Sequence, residues 1–147
     1  MTQPNPSVDE VAGAVQASVR LLVQRLRQVN AADGVLSSPE TSALSRLDRI
    51  GPTSASQLAK LERISPQSMG VTVGALEKRG LVLRKSDPDD GRRSILFLTA
   101  AGRELLYQRR SERSELLSQA LATHFSAAEV KALGRAALLI ERLAESI

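Results

Sequence analysis

The segment SDPDDGRRSILFLT, residues 86–99, contains the residues of this chain that are most suggestive of chemistry. Three carboxylates crowd into a Pro/Gly turn, two arginines follow at once, and a β-rich run begins directly after them. Such a cluster could hold a metal ion, bind a phosphate, supply a catalytic carboxylate pair, or present cations to DNA. The rest of the chain has to distinguish these uses.

The metal and enzymatic uses fit the residues poorly. An EF-hand loop needs glycine at position 6 and Glu at position 12, whereas counting from Asp87 puts glycine at 5 and Leu98 at 12. A catalytic carboxylate pair needs a cleft around it rather than a hairpin tip. The single histidine, His124, has no second His or Glu-x-x-His pattern beside it, and the chain has no cysteine. We therefore predict neither an enzyme nor a bound metal or other cofactor.

Composition indicates one globular, cytoplasmic domain. Hydrophobic residues make up 42% and charged residues 24% of the 147 residues. No apolar run reaches the ~20 residues of a membrane span, and the first ten residues do not resemble a secretory signal, so no membrane partner is expected. The net charge is +4, and residues 54–99 hold eight basic and five acidic groups. That excess is consistent with a polyanionic partner near the middle of the chain.

Two short helices joined by a tight turn are predicted directly before the opening segment. Ser54-Ala-Ser-Gln57 reads as a capping box that starts the first helix, which ends near Ile64. Ser65 and Pro66 are typical of the N-cap and first turn of a second helix, and Gly80 is typical of a left-handed C-cap. The pair is predicted to form a helix-turn-helix.

The second of these helices has an apolar stripe and a polar side. Met69, Val73 and Leu76 recur at helical spacing and are predicted to be buried. Four residues are predicted to lie away from that stripe, towards solvent: Gln67, Ser68, Val71 and Thr72. Amides and hydroxyls near a helix N-terminus can bond base edges and phosphates in a major groove, although an ordinary solvated face would look similar.

Residues 81–85 and 94–98 are β-rich runs on either side of the acid–base turn and predict a hairpin. A helix-turn-helix followed directly by a hairpin is the winged-helix arrangement, in which the hairpin tip lies beside DNA. Arg92 and Arg93 would then reach the backbone and the narrow, strongly negative minor groove. Because the acids would repel DNA, Asp90 is expected to be neutralised locally by holding Arg92 in place.

Both ends of the chain carry apolar seams at spacings of three and four residues. The first seam comprises Val8, Ala12, Val15, Val19, Leu22, Leu26 and Val29, and the second Val130, Leu133, Ala137, Ile140, Ala144 and Ile147. One seam alone would pack against its own domain, but two seams flanking a compact unit favour a helical dimer interface. Further helices are predicted to begin at Ser38, with Ser38 as N-cap, and at Ala100, with Thr99 as N-cap.

The predicted fold class is mainly α with a small β hairpin. Residues 1–36 would form an N-terminal tail and dimerisation helix, 37–99 the winged helix-turn-helix, and 100–147 the C-terminal dimerisation helices.

In these features the sequence resembles the MarR family of bacterial transcription regulators. The specific pieces are Ser65 opening a helix that ends in LEKRGLV, the turn DPDDGRR, and LTAAGREL entering the next helix. The resemblance implies a homodimer on a pseudo-palindromic DNA operator, which a small anionic or aromatic effector releases. It implies that four residues lie in the major groove: Ser65, Gln67, Ser68 and Thr72. It also implies that Arg92, oriented by Asp90, enters the minor groove.

The chain departs from the family pattern on the second helix. Val71 stands where a basic residue is frequent, and Gly70 and Gly74 stand where larger polar residues are usual. Each glycine costs the helix about 1 kcal/mol relative to alanine.

We predict a dimeric winged-helix transcription regulator that acts as a repressor. The alternative is a protein–protein interaction module of the same fold, which would bind DNA weakly and without regard to its sequence.

Overall fold

The computed structural model describes residues 5–32 and 34–147. Within these residues the chain forms six helices and three strands. In chain order they are α1 Val8–Ala32, α2 Ser38–Ile50, β1 Thr53–Ser54, α3 Ala55–Glu62, α4 Pro66–Lys78, β2 Val82–Ser86, β3 Ser94–Leu98, α5 Ala100–His124 and α6 Ala127–Glu145. This confirms the predicted mainly α fold with a small β hairpin.

The three strands form one antiparallel sheet in the order β1-β3-β2. In the hairpin Val82 pairs with Leu98 and Ser86 with Ser94, so the predicted hairpin is confirmed. Strand β1 was not predicted, since two residues are too short to show an alternating pattern. Ser54 serves twice, pairing with Ile95 in the sheet and capping α3.

Most helices begin at side-chain caps that the sequence predicts. Ser126 forms a complete capping box with Glu129 at the start of α6. The prediction for α2 was wrong by one residue, because Ser37 rather than Ser38 has the extended backbone of an N-cap and accepts the N–H of Glu40 at 3.3 Å. Thr99 Oγ1 accepts the N–H of Gly102 at 3.1 Å, as predicted for the start of α5.

The core lies between α2, α3, α4 and the sheet. Its largest fully buried side chains are Leu44, Leu58, Met69, Val73, Leu76 and Leu96. Burial of one such side chain contributes about 1.5–3 kcal/mol. This core joins the helix-turn-helix and the hairpin into one unit, residues 36–98, which we call the platform.

The chain divides into two compact units, Met1–Tyr107 and Gln108–Ile147, with the division inside α5. In the second unit, α6 contains no buried residue. Helix α1 of the first unit likewise exposes apolar side chains, among them Leu21 at 56% and Leu22 at 50%. The predicted functional division at residues 36 and 99 stays a prediction. No helix in the described ranges is long and apolar enough to cross a membrane.

Candidate nucleic-acid interface

The turn between α3 and α4 is closed by a left-handed residue. Arg63 has φ 54° and ψ 42°, a conformation that few residues other than glycine adopt. Its N–H donates to the carbonyl of Lys60, and the N–H of Ile64 donates to that of Ala59. The chain therefore reverses within three residues and starts α4 at Ser65–Pro66.

The N-terminus of α4 is organised by two serines. The hydroxyl of Ser65 accepts the backbone N–H of Ser68 at 3.1 Å and donates to the Ser68 hydroxyl oxygen at 3.0 Å. The Ser65 side chain is thus engaged in capping the helix. The exposed hydroxyl of Ser68 keeps its own proton as a donor to an external acceptor.

Helix α4 turns a distinct side towards solvent, which we call the outer face. It consists of Gln67, Gly70, Val71, Gly74 and Lys78, opposite the buried Met69, Val73 and Leu76. The predicted exposure of Gln67, Ser68 and Val71 is confirmed.

The predicted exposure of Thr72 was wrong. Its residue exposure is 8%, and its hydroxyl donates to the backbone carbonyl of Ser68 at 3.1 Å. Helix α4 packs against both α2 and α3, so its buried side is wider than the three-residue stripe and includes Thr72. Thr72 therefore lies on the packed side of α4 rather than on its outer face.

The acid cluster builds the turn between β2 and β3. The Asp87 carboxylate accepts the N–H of Asp89 at 2.9 Å, and the Asp90 carboxylate accepts the N–H of Arg92 at 3.1 Å. The backbone closes the turn as Asp87 N–H donates to the Arg93 carbonyl at 2.8 Å. Asp90 therefore braces the backbone of Arg92, whereas the sequence suggested that it holds the arginine as a local counter-charge. Arg92 and Arg93 are both exposed.

Three contacts connect the hairpin and its two ends to helices α4 and α5. The guanidinium of Arg84 on β2 pairs with the Glu77 carboxylate on α4 at 2.8 Å. The Thr99 hydroxyl donates to the Gly80 carbonyl at 2.6 Å. At Gly102 an added Cβ would collide with the Leu81 carbonyl, so only glycine allows this close approach of α5 to the hairpin.

The cations of this region fall into two groups. Arg46 pairs with Glu62 at 2.7 Å and Arg79 with Glu40 at 3.3 Å, so these arginines join elements of the platform. Lys78 on the outer face and the turn arginines Arg92 and Arg93 are exposed and make no ion pair within the described residues. Lys78 was missed by the sequence reasoning, although its spacing of seven residues from Val71 puts it on the same face.

Glu62 remains charged at neutral pH in its partly buried position. Burial alone would raise the pKa of Glu62, but hydrogen bonds from Ser42 and Arg46, and the positive charges of Arg46 and Arg49, lower it below the ordinary value of 4.5. The Arg46–Glu62 ion pair joins α2 to α3, the first helix of the helix-turn-helix.

A groove of about 420 Å³ lies next to this contact. Its lining is formed by Arg27, Ser38, Pro39, Thr41, Ser42, Ser45, Glu62, Ile64 and Met69. A second groove of about 440 Å³ shares Arg27 and Ser38 and adds Arg20. No cluster of three or more His, Cys, Asp or Glu suited to a metal occurs among the residues described.

Known proteins are similar to this chain in both sequence and fold. The sequence model of the MarR family matches residues 36–94. The uncharacterized HTH-type transcriptional regulator ML2140 of Mycobacterium leprae is 32% identical over 136 residues, which cover 92% of this chain and 94% of that protein. The crystal structure of a Pseudomonas aeruginosa protein is similar with a TM-score of 0.80 at 30% identity, and the match covers 95% of this chain and 98% of the other.

A MepR mutant of S. aureus, solved bound to an oligodeoxyribonucleotide, has the same fold with a TM-score of 0.65 at 20% identity, covering 93% of this chain and 98% of that chain. Three findings show the family of this chain: the sequence identity to ML2140 over nearly all of that protein, the match to the family model, and the winged helix-turn-helix geometry. This chain belongs to the MarR family of DNA-binding transcription regulators.

Proposed function

We propose that this protein is a homodimeric repressor that binds a two-fold symmetric operator. In each protomer α4 lies in the major groove and the turn between β2 and β3 reaches the adjacent minor groove. The observation that carries the proposal is the platform, whose common core and Arg84–Glu77 ion pair support the outer face of α4 and the turn of Arg92 and Arg93 together. MepR, which has the same fold, has been solved with an oligodeoxyribonucleotide, and this supports duplex DNA as the partner.

Each proposed contact follows from the chemistry of one side chain. The Gln67 amide can read an adenine edge through its paired donor and acceptor, and the Ser68 hydroxyl can donate to a base or phosphate. Arg92 and Arg93 suit a narrow minor groove because the guanidinium is planar and weakly hydrated. Ser65 and Thr72 hold α4 in shape, and Asp90 fixes the backbone that carries Arg92.

The exposed apolar faces of the terminal helices support the homodimer. The side chains of Leu133, Ile140 and Leu143 are 44%, 40% and 48% exposed, in a helix without any buried residue. Burial of apolar surface is worth roughly 25 cal/mol per Å², so a second copy that covers these faces stabilises both chains. Two-fold symmetry in the protein then requires two half-sites in the operator.

The protein would act by binding rather than by catalysis, and in the cytoplasm. The alternative function, a module that binds only other proteins, receives no support from the relatives, which are named transcriptional regulators.

A binding site selected from random duplex DNA by the purified protein tests the proposal. We expect two related half-sites about 10 base pairs apart, centre to centre. Affinity measured by fluorescence anisotropy should fall by roughly three to five decades between 50 and 200 mM salt if ~6–10 phosphates are contacted. Five base pairs inserted between the half-sites should reduce binding to the non-specific level. Equal affinity for the selected and a scrambled duplex would instead support the interaction module.

We also propose that a small anionic effector binds the groove beside Arg27. The groove combines that cation with the Ser38 hydroxyl and the apolar side chains of Ile64 and Met69, which suits an aromatic carboxylate. Glu62 also lines the groove, and its carboxylate is paired with Arg46 at 2.7 Å. Calorimetric titration with benzoate should show binding to the wild type and a loss of at least tenfold in Arg27→Gln. Equal affinity in the two proteins would exclude this groove as the site.

A further inference from the structure

The outer face of α4 displays one apolar side chain at its centre. Val71 is 75% exposed, and it follows Gln67 by four residues, so the two side chains are neighbours on one side of the helix. Valine is a poorer helix former than alanine because its branched side chain loses rotamer freedom. Val71 therefore does not pack in the core, and it makes α4 slightly less stable than alanine would.

The surface along one flank of Val71 is low. Gly70 and Gly74 lie on the same face, and a Cβ added to either would meet nothing within 4 Å. Packing within the chain therefore does not require glycine at these positions. Their effect is to leave the isopropyl group of Val71 prominent, with no side chain at positions 70 and 74 to hold a base pair away.

Only one group in the major groove suits such a side chain. All four bases present hydrogen-bonding atoms there, which an isopropyl group would leave unsatisfied. Thymine is the one base that also presents an apolar methyl group, at C5. We propose that Val71 is a specificity-determining residue that selects a thymine by packing against this methyl group. The inference rests on the proposed placement of α4 in the major groove, and it puts the thymine next to the base contacted by Gln67.

Deoxyuridine provides the test, because it pairs as thymine does and lacks only the methyl group. In the selected operator one thymine position at a time is changed to deoxyuridine, and the change is made in both half-sites. At one position the wild type should lose about fourfold in affinity per half-site, the equivalent of ~0.8 kcal/mol for a buried methyl group, and about 15-fold for both. Replacement at the other thymines is the internal control and should change affinity less than twofold.

Val71→Ala identifies the residue responsible. This variant should bind the thymine and deoxyuridine operators with affinities within twofold of each other, both near that of the wild type on the deoxyuridine operator. Unchanged thermal unfolding would exclude a folding defect. The proposal is overturned if no single replacement weakens the wild type, or if Val71→Ala keeps the full discrimination. In both cases the wild type still prefers its operator to scrambled DNA, whereas loss of that preference would refute the proposed function itself.

Discussion

The winged-helix platform and helix α6 differ in what their apolar side chains contact. Leu44, Leu58 and Leu76 of the platform have no exposed surface, whereas α6 exposes 55% of Leu139 and 40% of Ile140. Both regions show apolar residues at helical spacing. Periodicity therefore specifies which face of a helix must be covered, but not whether the same chain covers it.

The platform is also held by charged contacts between its elements. Arg46 pairs with Glu62 across α2 and α3, and Arg84 pairs with Glu77 across β2 and α4. We infer that the platform keeps its shape through its own contacts, while the terminal helices depend on a second copy.

Ile140→Glu should have the largest effect. In a dimer it would bury an uncompensated charge, which costs about 3–5 kcal/mol, while in an isolated chain the half-exposed position tolerates it. Sedimentation at micromolar concentration should show a dimer for the wild type and a monomer, or unfolded chain, for the variant. Lys131→Glu, off the apolar seam of the same helix, is the control and should remain dimeric. A monomeric wild type would remove the basis of the comparison.

A matched pair of leucine truncations measures the difference between the regions directly. Leu76→Ala should lower the free energy of unfolding by about 2–5 kcal/mol, because it leaves a cavity in the platform core. Leu138→Ala in α6, where the side chain is 67% exposed, should change it by no more than about 0.5 kcal/mol. Denaturant unfolding measures both. Equal losses would mean that the surface around Leu138 is covered in solution.

Arg92→Ala should separate binding from folding within the platform. The substitution removes a charged group from the hairpin tip and should weaken operator binding by about 1–3 kcal/mol per protomer. Its thermal stability should change by less than about 0.5 kcal/mol, since the side chain is exposed. Lys131→Ala removes the same charge from α6 and should leave affinity nearly unchanged.

Asp90→Ala shows whether the acid cluster helps or hinders DNA binding. Loss of an acid should strengthen binding to a polyanion, but loss of the hydrogen bond to Arg92 N–H should disorder the turn and weaken it. We expect the second effect to dominate, and the double variant to bind little worse than Arg92→Ala alone. Tighter binding by Asp90→Ala would identify the acids as a repulsive element.

The smallest effect concerns pH. The folded-state pKa of Glu62 lies below 4.5, so its stabilising contact is present above the unfolded-state pKa and is lost as pH falls through the folded-state value. Glu62→Gln should therefore be less stable than the wild type at pH 7, and the difference should shrink below about pH 4.5. Denaturant unfolding at pH 7 and pH 3.5 measures it. A constant difference would assign the effect to packing rather than charge.

Local patterns predicted most elements and much of the candidate interface. Caps at Ser54, Ser65 and Ser126 and the hairpin all involve residues close in sequence, whose contacts depend on few neighbours. The capping box of Ser7 and Glu10 at the start of α1 was missed although its four-residue pattern was present in the sequence. The exposure of Gln67, Ser68, Arg92 and Arg93 followed from the same local reasoning.

The positions of the helices and the hairpin, and the apolar faces of the helices, followed from the amino-acid sequence alone. Two facts depended on the packed tertiary structure: Thr72 is buried, and Glu77 pairs with Arg84. Helical spacing depends on neighbours within one turn of the chain. Burial and ion pairing depend on atoms from separate elements, whose distances exist only once those elements have packed together.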